Sequence, residues 1–319
     1  MTPDQIETYL DLWPGLEGGK ATLINLSENH TFRVGTPDEK HHILRVHRPD
    51  YQSQDAIESE LIWLQALARD TKLPVIKPRS GRNGKLVQLL DRNDVAPRHA
   101  VSFAFEQGAE PESAFLPHLF SDLGRFAAIC HTHVQNWQPP IGFTRPTWNA
   151  GAILDADGLW GNWRTAPHVT GEVRDILDRL DQALRVDLDH YGSGPDRFGL
   201  IHADMRLANV LVHKGKTRLI DFDDCGFGWF AYDFAAAVSF FEDSPEVPEF
   251  KAIWLEAYRK VRKFSPEDEG AIDATILLRR MALLAWIGSH SETELAQSHA
   301  KDFAHNSAKL AEAYLSASI

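Results

Sequence analysis

Residues 200–224 read Leu200-Ile201-His202-Ala203-Asp204-Met205-Arg206-Leu207-Ala208-Asn209-Val210-Leu211-Val212, then His213-Lys214-Gly215-Lys216-Thr217-Arg218, then Leu219-Ile220-Asp221-Phe222-Asp223-Asp224. Two short apolar β runs flank a Lys-Gly-Lys turn, the pattern of a hairpin. Asp204 and Asn209 lie in the loop before it, and Asp221 stands where its second strand ends. That order brings an Asp, an Asn and a second Asp to one end of the hairpin. Phosphoryl transfer needs such a set. One carboxylate positions a hydroxyl and accepts its proton, while an amide oxygen and a second carboxylate hold Mg²⁺ on nucleotide phosphates.

The step from Asp204 to Asn209 matches the kinase catalytic loop His-Arg-Asp-x-x-x-x-Asn, and Asp221 takes the place of the Asp in Asp-Phe-Gly. Downstream follows Gly226-Phe227-Gly228-Trp229-Phe230-Ala231-Tyr232-Asp233-Phe234-Ala235. Together these stretches resemble the aminoglycoside phosphotransferase/choline kinase superfamily, over roughly residues 20–290 and most strongly at 200–240. Members it looks like include type-II homoserine kinases, hydroxylysine kinases and stress-response kinases. The resemblance implies an α+β, protein-kinase-like bilobal fold and ATP-dependent phosphorylation of a hydroxyl group. It implies Asp204 as catalytic base, and Asn209 and Asp221 as magnesium ligands. Two positions depart from the family pattern. Ala203 stands where Gly is usual, and Arg45 where the third strand often has Lys.

Upstream, the chain reads as strands. Ala21–Leu26, Thr31–Val34 and His42–His47 are short β runs joined by polar turns, which predicts hairpins. Arg45 points to the face opposite Leu44 and Val46, as a phosphate contact or a strand cation. The segment 55–68 is apolar at Ile57, Leu61, Leu64 and Ala68, a helical spacing. Glu60 sits inside that stripe, and an acid on a buried edge needs a partner; Arg45 is the natural one. Ser27-Glu28-Asn29-His30 takes the place of a loop over phosphates, with Ser27 and Asn29 as polar contacts. Further strands are expected at 86–90 and 101–106. Glu106-Gln107-Gly108 reads as a hinge, with Glu106 among the nucleotide-binding residues. The expected domains are a nucleotide-binding lobe, 1–106, and a helical lobe, 107–319, with ATP between them.

The second part is mostly helical. Apolar faces recur at 116–130 and 173–184, and helical patterns lie at 247–263, 266–288 and 292–315. Between the first two faces, residues 135–167 look like a loop holding Trp137, Trp148, Trp160 and Trp163, expected over the acceptor site. Asp223 and Asp224 are candidate acceptor contacts, as is Trp229, which with Phe230 could wall an amine or pack the core. Asp233 begins an apolar run, so N-capping is its expected role. His131 and His133, two apart on a helix, do not share a face, and His202 reads as packing for the loop.

The 319 residues carry a net charge of −12, against a nucleic-acid binder with its basic stripe and against docking on acidic membranes. The acidic excess is concentrated after residue 108 and favours a cationic or zwitterionic acceptor. That suggests a small hydroxylated molecule such as an amino alcohol, hydroxylated amino acid or aminoglycoside. Cys130 and Cys225 form no Cys-x-x-Cys pair, and the apolar runs are short or broken by Arg279 and Arg280. The expectation is a cytoplasmic enzyme using ATP and Mg²⁺, its oligomeric state left open. Two other readings compete: a stress-response protein Ser/Thr kinase, against which no activation segment follows Asp221, and a pseudokinase, supported only by Arg45 and Ala203.

Overall fold

A computed structural model of the chain describes residues 1–26, 29–49, 51–92 and 96–317. The chain opens with a short helix α1 (Pro3–Glu7), capped by Thr2 in a reciprocal box with Gln5. Then come β1 (Lys20–Leu26), β2 (Asn29–Gly35), β3 (His41–His47), α2 (Gln54–Asp70), β4 (Pro78–Arg79), β5 (Val87–Leu90) and β6 (Arg98–Ala104). The strands form one antiparallel sheet in the order β1-β2-β3-β6-β4, with β5 also on β6. Alternation along β2 and β3 buries Phe32, Val34, Leu44 and Val46 against Ile6, Tyr9 and Trp13. Alternation sets the sheet's core face because successive side chains point to opposite sides. The helix α2 starts where the Ser53 hydroxyl accepts from the Ala56 N–H at 3.2 Å, satisfying one of the free first-turn donors.

From residue 110 the chain adds α3 (Leu116–Asn136), β7 (Thr147–Trp148), α4 (Ala150–Leu154), α5 (Gly171–Tyr191), β8 (Phe198–Ile201), β9 (Val210–His213), β10 (Lys216–Leu219) and β11 (Gly226–Trp229). It ends with α6 (Tyr232–Ala237), α7 (Val247–Arg259), α8 (Pro266–Ser289), α9 (Glu294–His299) and α10 (Phe303–Ala317). The pattern expected as one helix at 292–315 is therefore two, broken at 300–302. The hairpin β9–β10 stands where the Lys-Gly-Lys turn placed it.

The chain divides into two compact units. The first comprises Met1–Ala109, Pro139–Arg145 and Leu211–Asp223. The two later segments join it through local pairing. Val212 bridges to Ala109 and Leu219 to Val75, and the Thr144 N–H donates to the Ser59 hydroxyl at 2.9 Å. The second comprises Glu110–Gln138, Pro146–Val210 and Asp224–Ile319. Within it β11 pairs antiparallel with β8 and parallel with β7. Gly226 has no room for a side chain, since a Cβ would stand 2.5 Å from the Pro146 carbonyl oxygen. The first glycine of the Gly-x-Gly run thus lets the backbones of β7 and β11 approach.

The long helix α8 begins with Pro266 at its first turn and a Ser265/Asp268 capping box. It runs through the centre of the second unit, buried almost continuously from Ala271 to Ile287. Of the four tryptophans expected in a loop, Trp148, Trp160 and Trp163 are buried in the core and Trp137 is half-buried. No helix among the described residues is long and apolar enough to cross a membrane.

Candidate active site

In the first unit, β3 and α2 bring Arg45 and Glu60 together. Arg45 Nη2 donates to Glu60 Oε2 at 2.5 Å, and the two residues are 4% and 0% exposed. Arg45 Nη1 donates to Asp221 Oδ1 at 3.1 Å, and Asp223 Oδ1 lies 3.8 Å from Nη2. Phe103 lies beneath the guanidinium, 5.2 Å from its carbon. Burial works to lower the Arg45 pKa, but the Glu60, Asp223 and Asp221 carboxylates outweigh it and hold it above the usual arginine value. Burial pushes the Glu60 carboxyl up, with the Arg45 charge opposing.

Asp223, expected at the acceptor, has its contacts within the first unit. It is buried, accepts from Asn29 Nδ2 at 2.7 Å, and lies 3.7 Å from His47 Nδ1. Burial would raise its carboxyl, and Arg45, His47 and Arg145 more than reverse this. Arg145 also locks the Asp223 backbone, donating to its carbonyl while its other nitrogen reaches Gln52 Oε1 at 2.8 Å and the Ala56 carbonyl at 2.9 Å. Asp221 is the open carboxylate, with a side chain 43% exposed. Its φ of +57° is a left-handed conformation that Asp tolerates better than most residues. Ser27, expected beside the phosphates, lies outside the described residues.

A cavity of about 280 Å³ opens beside this cluster. Ile24, Ile43, Ile76, Phe103, Leu211 and Ile220 form apolar walls, with Arg45 and Asp221 also lining it. Phe105 and Glu106, just beyond the end of β6 at Ala104, line the same cavity. The Glu106 carboxylate is held by Arg218 at 3.2 Å. An apolar slot bounded by Arg45 and Asp221 suits a base and its phosphates. Arg45 Nε and Asn29 Oδ1 are buried polar atoms with no hydrogen-bond partner among the described residues, as expected of groups reserved for a ligand.

In the second unit, the loop after β8 presents Asp204. Its Oδ2 accepts from Asn209 Nδ2 at 2.6 Å and from Arg206 Nε at 3.1 Å; its Oδ1 accepts from Arg279 Nη2 at 2.5 Å. Asn209 Nδ2 also reaches the Asp204 carbonyl at 3.0 Å, which spends the amide nitrogen and leaves the amide oxygen for a cation. Burial would raise the Asp204 carboxyl; Arg206, Arg279 and His202 outweigh it and hold the carboxyl below the usual range.

The loop backbone is held from behind. Asp233 accepts from the Ala203 N–H at 2.8 Å and the His202 N–H at 3.3 Å. It is not the cap of α6, whose N-cap is Ala231. His131 bridges Asp233 Oδ2 at 3.0 Å and the Tyr258 hydroxyl at 2.8 Å, and His202 Nδ1 accepts from the Asp204 N–H at 3.2 Å. Ala203 has a φ of +65°, the left-handed region. The methyl replacing the expected glycine is therefore carried at a conformational cost, which the Asp233 bond offsets.

The sequence profile of the phosphotransferase enzyme family matches residues 21–270. The chain belongs to this phosphotransferase family. Its solved relatives include a microcompartment-associated aminopropanol kinase, 42% identical, with a TM-score of 0.90 covering 98% of this chain and 97% of that one. The amicoumacin kinase of Bacillus subtilis (strain 168) is 24% identical over 277 residues, 81% of this chain and 76% of its own length. A structure of an amicoumacin kinase in complex with AMP-PNP, Ca²⁺ and Ami, 19% identical, aligns at a TM-score of 0.79 over 97% of this chain and 94% of its own, a likeness of fold. The phosphotransferase has the α+β, protein-kinase-like fold and is a kinase of the small-molecule group.

The other expected acceptor residues, Trp229 and Asp224, make local contacts in the second unit. Trp229 is buried, donates from Nε1 to the Gly192 carbonyl at 2.8 Å, and packs edge-on against Phe198. It lines a groove with Asn149, Arg185 and His190. Phe230 stacks on His131, with Arg262 over its ring, so both aromatics pack locally. The Asp224 carbonyl accepts from Trp148 Nε1 at 2.8 Å, and its charge helps hold up the pKa of Arg279. Sequence reasoning missed Arg279, Arg145 and the His131–Asp233–Tyr258 chain. For Arg279 a signal existed: a cation inside an apolar helical run must find a partner.

Proposed function

We propose that this enzyme transfers the γ-phosphoryl group of ATP to the hydroxyl of a small amino alcohol. The observation that carries the chemistry is the buried Asp204 carboxylate, kept ionised by two arginines and bonded to the Asn209 amide nitrogen. The acceptor class is supported by the 42% identity to an aminopropanol kinase over nearly the whole chain and by the acidic net charge of −12, which favours a cationic acceptor.

Asp204 orients the acceptor hydroxyl and takes its proton as the new phosphate ester bond forms and the bond to the departing ADP breaks. Arg45, fixed by Glu60, holds the nucleotide phosphates, and the slot lined by Ile43, Phe103, Glu106 and Ile220 takes the base. The Asn209 amide oxygen and the Asp221 carboxylate are the groups that would hold Mg²⁺, hard oxygen donors suited to that ion. When bound, Mg²⁺ neutralises charge on the phosphates.

The experiment is a Mg-ATP turnover assay, reading ADP release over amino alcohols, hydroxylated amino acids, aminoglycosides and a generic protein substrate. Amino alcohols are expected to give the highest kcat/KM. Preferred turnover of another class would overturn the acceptor assignment, and no turnover with any would overturn the catalytic one.

A further inference from the structure

Arg279 is 1% exposed, beside the equally buried Arg280 in a stretch of α8 that is otherwise apolar from Ile276 to Ile287. Burying a guanidinium is costly unless its donors are satisfied, and here they are spent on three acceptors, two of them in the Asp204 loop. Nη2 donates to Asp204 Oδ1 at 2.5 Å and Nη1 to the Ala203 carbonyl at 3.3 Å, while Nε donates to the Ser239 hydroxyl at 3.0 Å. The flat group is held by aromatic rings, with Trp160 at 5.0 Å and Tyr232 at 5.9 Å from its carbon. Both the side chain of Asp204 and the main chain just before it are therefore gripped by one rigid fork, which a lysine could not reproduce.

The other donors to Asp204 act differently. Asn209 and Arg206 both bond Oδ2 and both come from the same loop, five and two residues away. They move with Asp204. Arg279 reaches it across 75 residues of chain, so it ties the loop to the centre of the second unit.

We infer that Arg279 is a positioning residue for phosphoryl transfer: its guanidinium fixes the Asp204 carboxylate in the orientation that meets the acceptor hydroxyl. This rests on Asp204 being the base. Because Arg279 acts through Asp204 and not on the nucleotide, its loss is felt in kcat rather than in nucleotide affinity. A small misplacement of a reacting group costs about 10²-fold.

The test compares Arg279→Met, which keeps bulk against Trp160 and Tyr232, with Arg279→Lys, which keeps the charge, each in the wild-type and Asp204→Asn backgrounds. Arg279→Met is expected to lower kcat by about 10²-fold, with the KM for Mg-ATP changed less than about twofold, and Arg279→Lys to recover about a tenth of the wild-type rate. In the Asp204→Asn background neither change should lower kcat further, since residues acting as a unit are not additive. An equal proportional loss in both backgrounds, or a lysine variant no better than the methionine one, overturns the role. Should Arg279→Met fail to fold, Arg279→Lys carries the test: wild-type kcat in that variant overturns the role. If Asp204→Asn itself turns over at the wild-type rate, the base assignment falls and this role with it. If Asp204→Asn is impaired and Arg279→Met is not, only the role of Arg279 falls.

Discussion

Arg45 in the first unit and Arg279 in the second are both buried and both bonded to a carboxylate at 2.5 Å, yet their surroundings have opposite charge balance. Around Arg45, three carboxylates lie within 3.8 Å. One of them, Asp221, is 43% exposed. Around Asp204 the excess is reversed, with two arginines bonded to one carboxylate at 3.1 Å or less. A carboxylate-rich cluster with one open acid can take a further cation. A carboxylate flanked by two arginines has its charge already balanced and suits holding a hydroxyl rather than a metal. The same residue types thus do different chemistry according to which sign is in excess.

The sharpest way to break this contrast is to neutralise the two aspartates separately. Asp204→Asn should cut kcat by about 10²–10⁴, the worth of a positioned base, while calorimetric titration still shows Mg-ATP binding. Asp221→Asn should instead weaken Mg-dependent nucleotide binding, because an amide replaces a charged hard ligand. Equal loss of nucleotide binding in both variants would erase the distinction.

Next in size is the ion pair itself. Removing Glu60 or Arg45 by substitution with alanine leaves a buried charge short of its partner, which typically costs about 3–5 kcal/mol. Denaturant unfolding should show that loss, most fully for Arg45→Ala, which strands Glu60 and Asp223 together. Arg45→Lys should be milder in stability and still raise the KM for Mg-ATP. A fully stable Arg45→Ala variant would show that the pair is not the anchor of its cluster.

Acid should act on the first cluster through His47. Burial, then the Arg45 charge, lowers its pKa from 6.5 to about 3. Below 6.5 the unfolded chain binds a proton that the folded chain refuses. The stabilisation is therefore complete above that pH and is lost as the pH falls toward 3, at up to about 1.4 kcal/mol per pH unit. Melting temperatures across that window should fall less steeply in His47→Gln, and an identical slope would remove His47 from the account.

The smallest effect is expected at Ala203. Glycine there removes the cost of a left-handed Ala, so Ala203→Gly should stabilise by up to about 1 kcal/mol with kcat nearly unchanged. A loss of stability would mean that the packing of the buried Ala203 methyl outweighs the strain it carries.

The catalytic-loop pattern was readable because its parts are contiguous. Asp204, Asn209 and Asp221 are spaced by one loop and one hairpin, and alternation together with a Lys-Gly-Lys turn specifies that hairpin locally. The Arg45–Glu60 contact was readable because Glu60 broke the apolar stripe of its helix and needed a partner, and Arg45 stood on a strand 15 positions earlier. Local order could not reveal what Asp223 faces, since Asn29 reaches it across 194 residues. The same holds for Asp233, whose partner His131 is 102 residues away.

Periodicity says that a charged group in an apolar stripe must be paired, because an unpaired buried charge is too costly to keep. It does not say with what. Arg279 announced a need for a partner from within its own helix, and only the packing of α8 against the loop after β8 decided that the partner was Asp204. Ala203 shows the same limit in the backbone. Its left-handed φ follows from bonds made by Asp233, thirty residues on, and an alanine in isolation avoids that conformation because its Cβ crowds the carbonyl that follows.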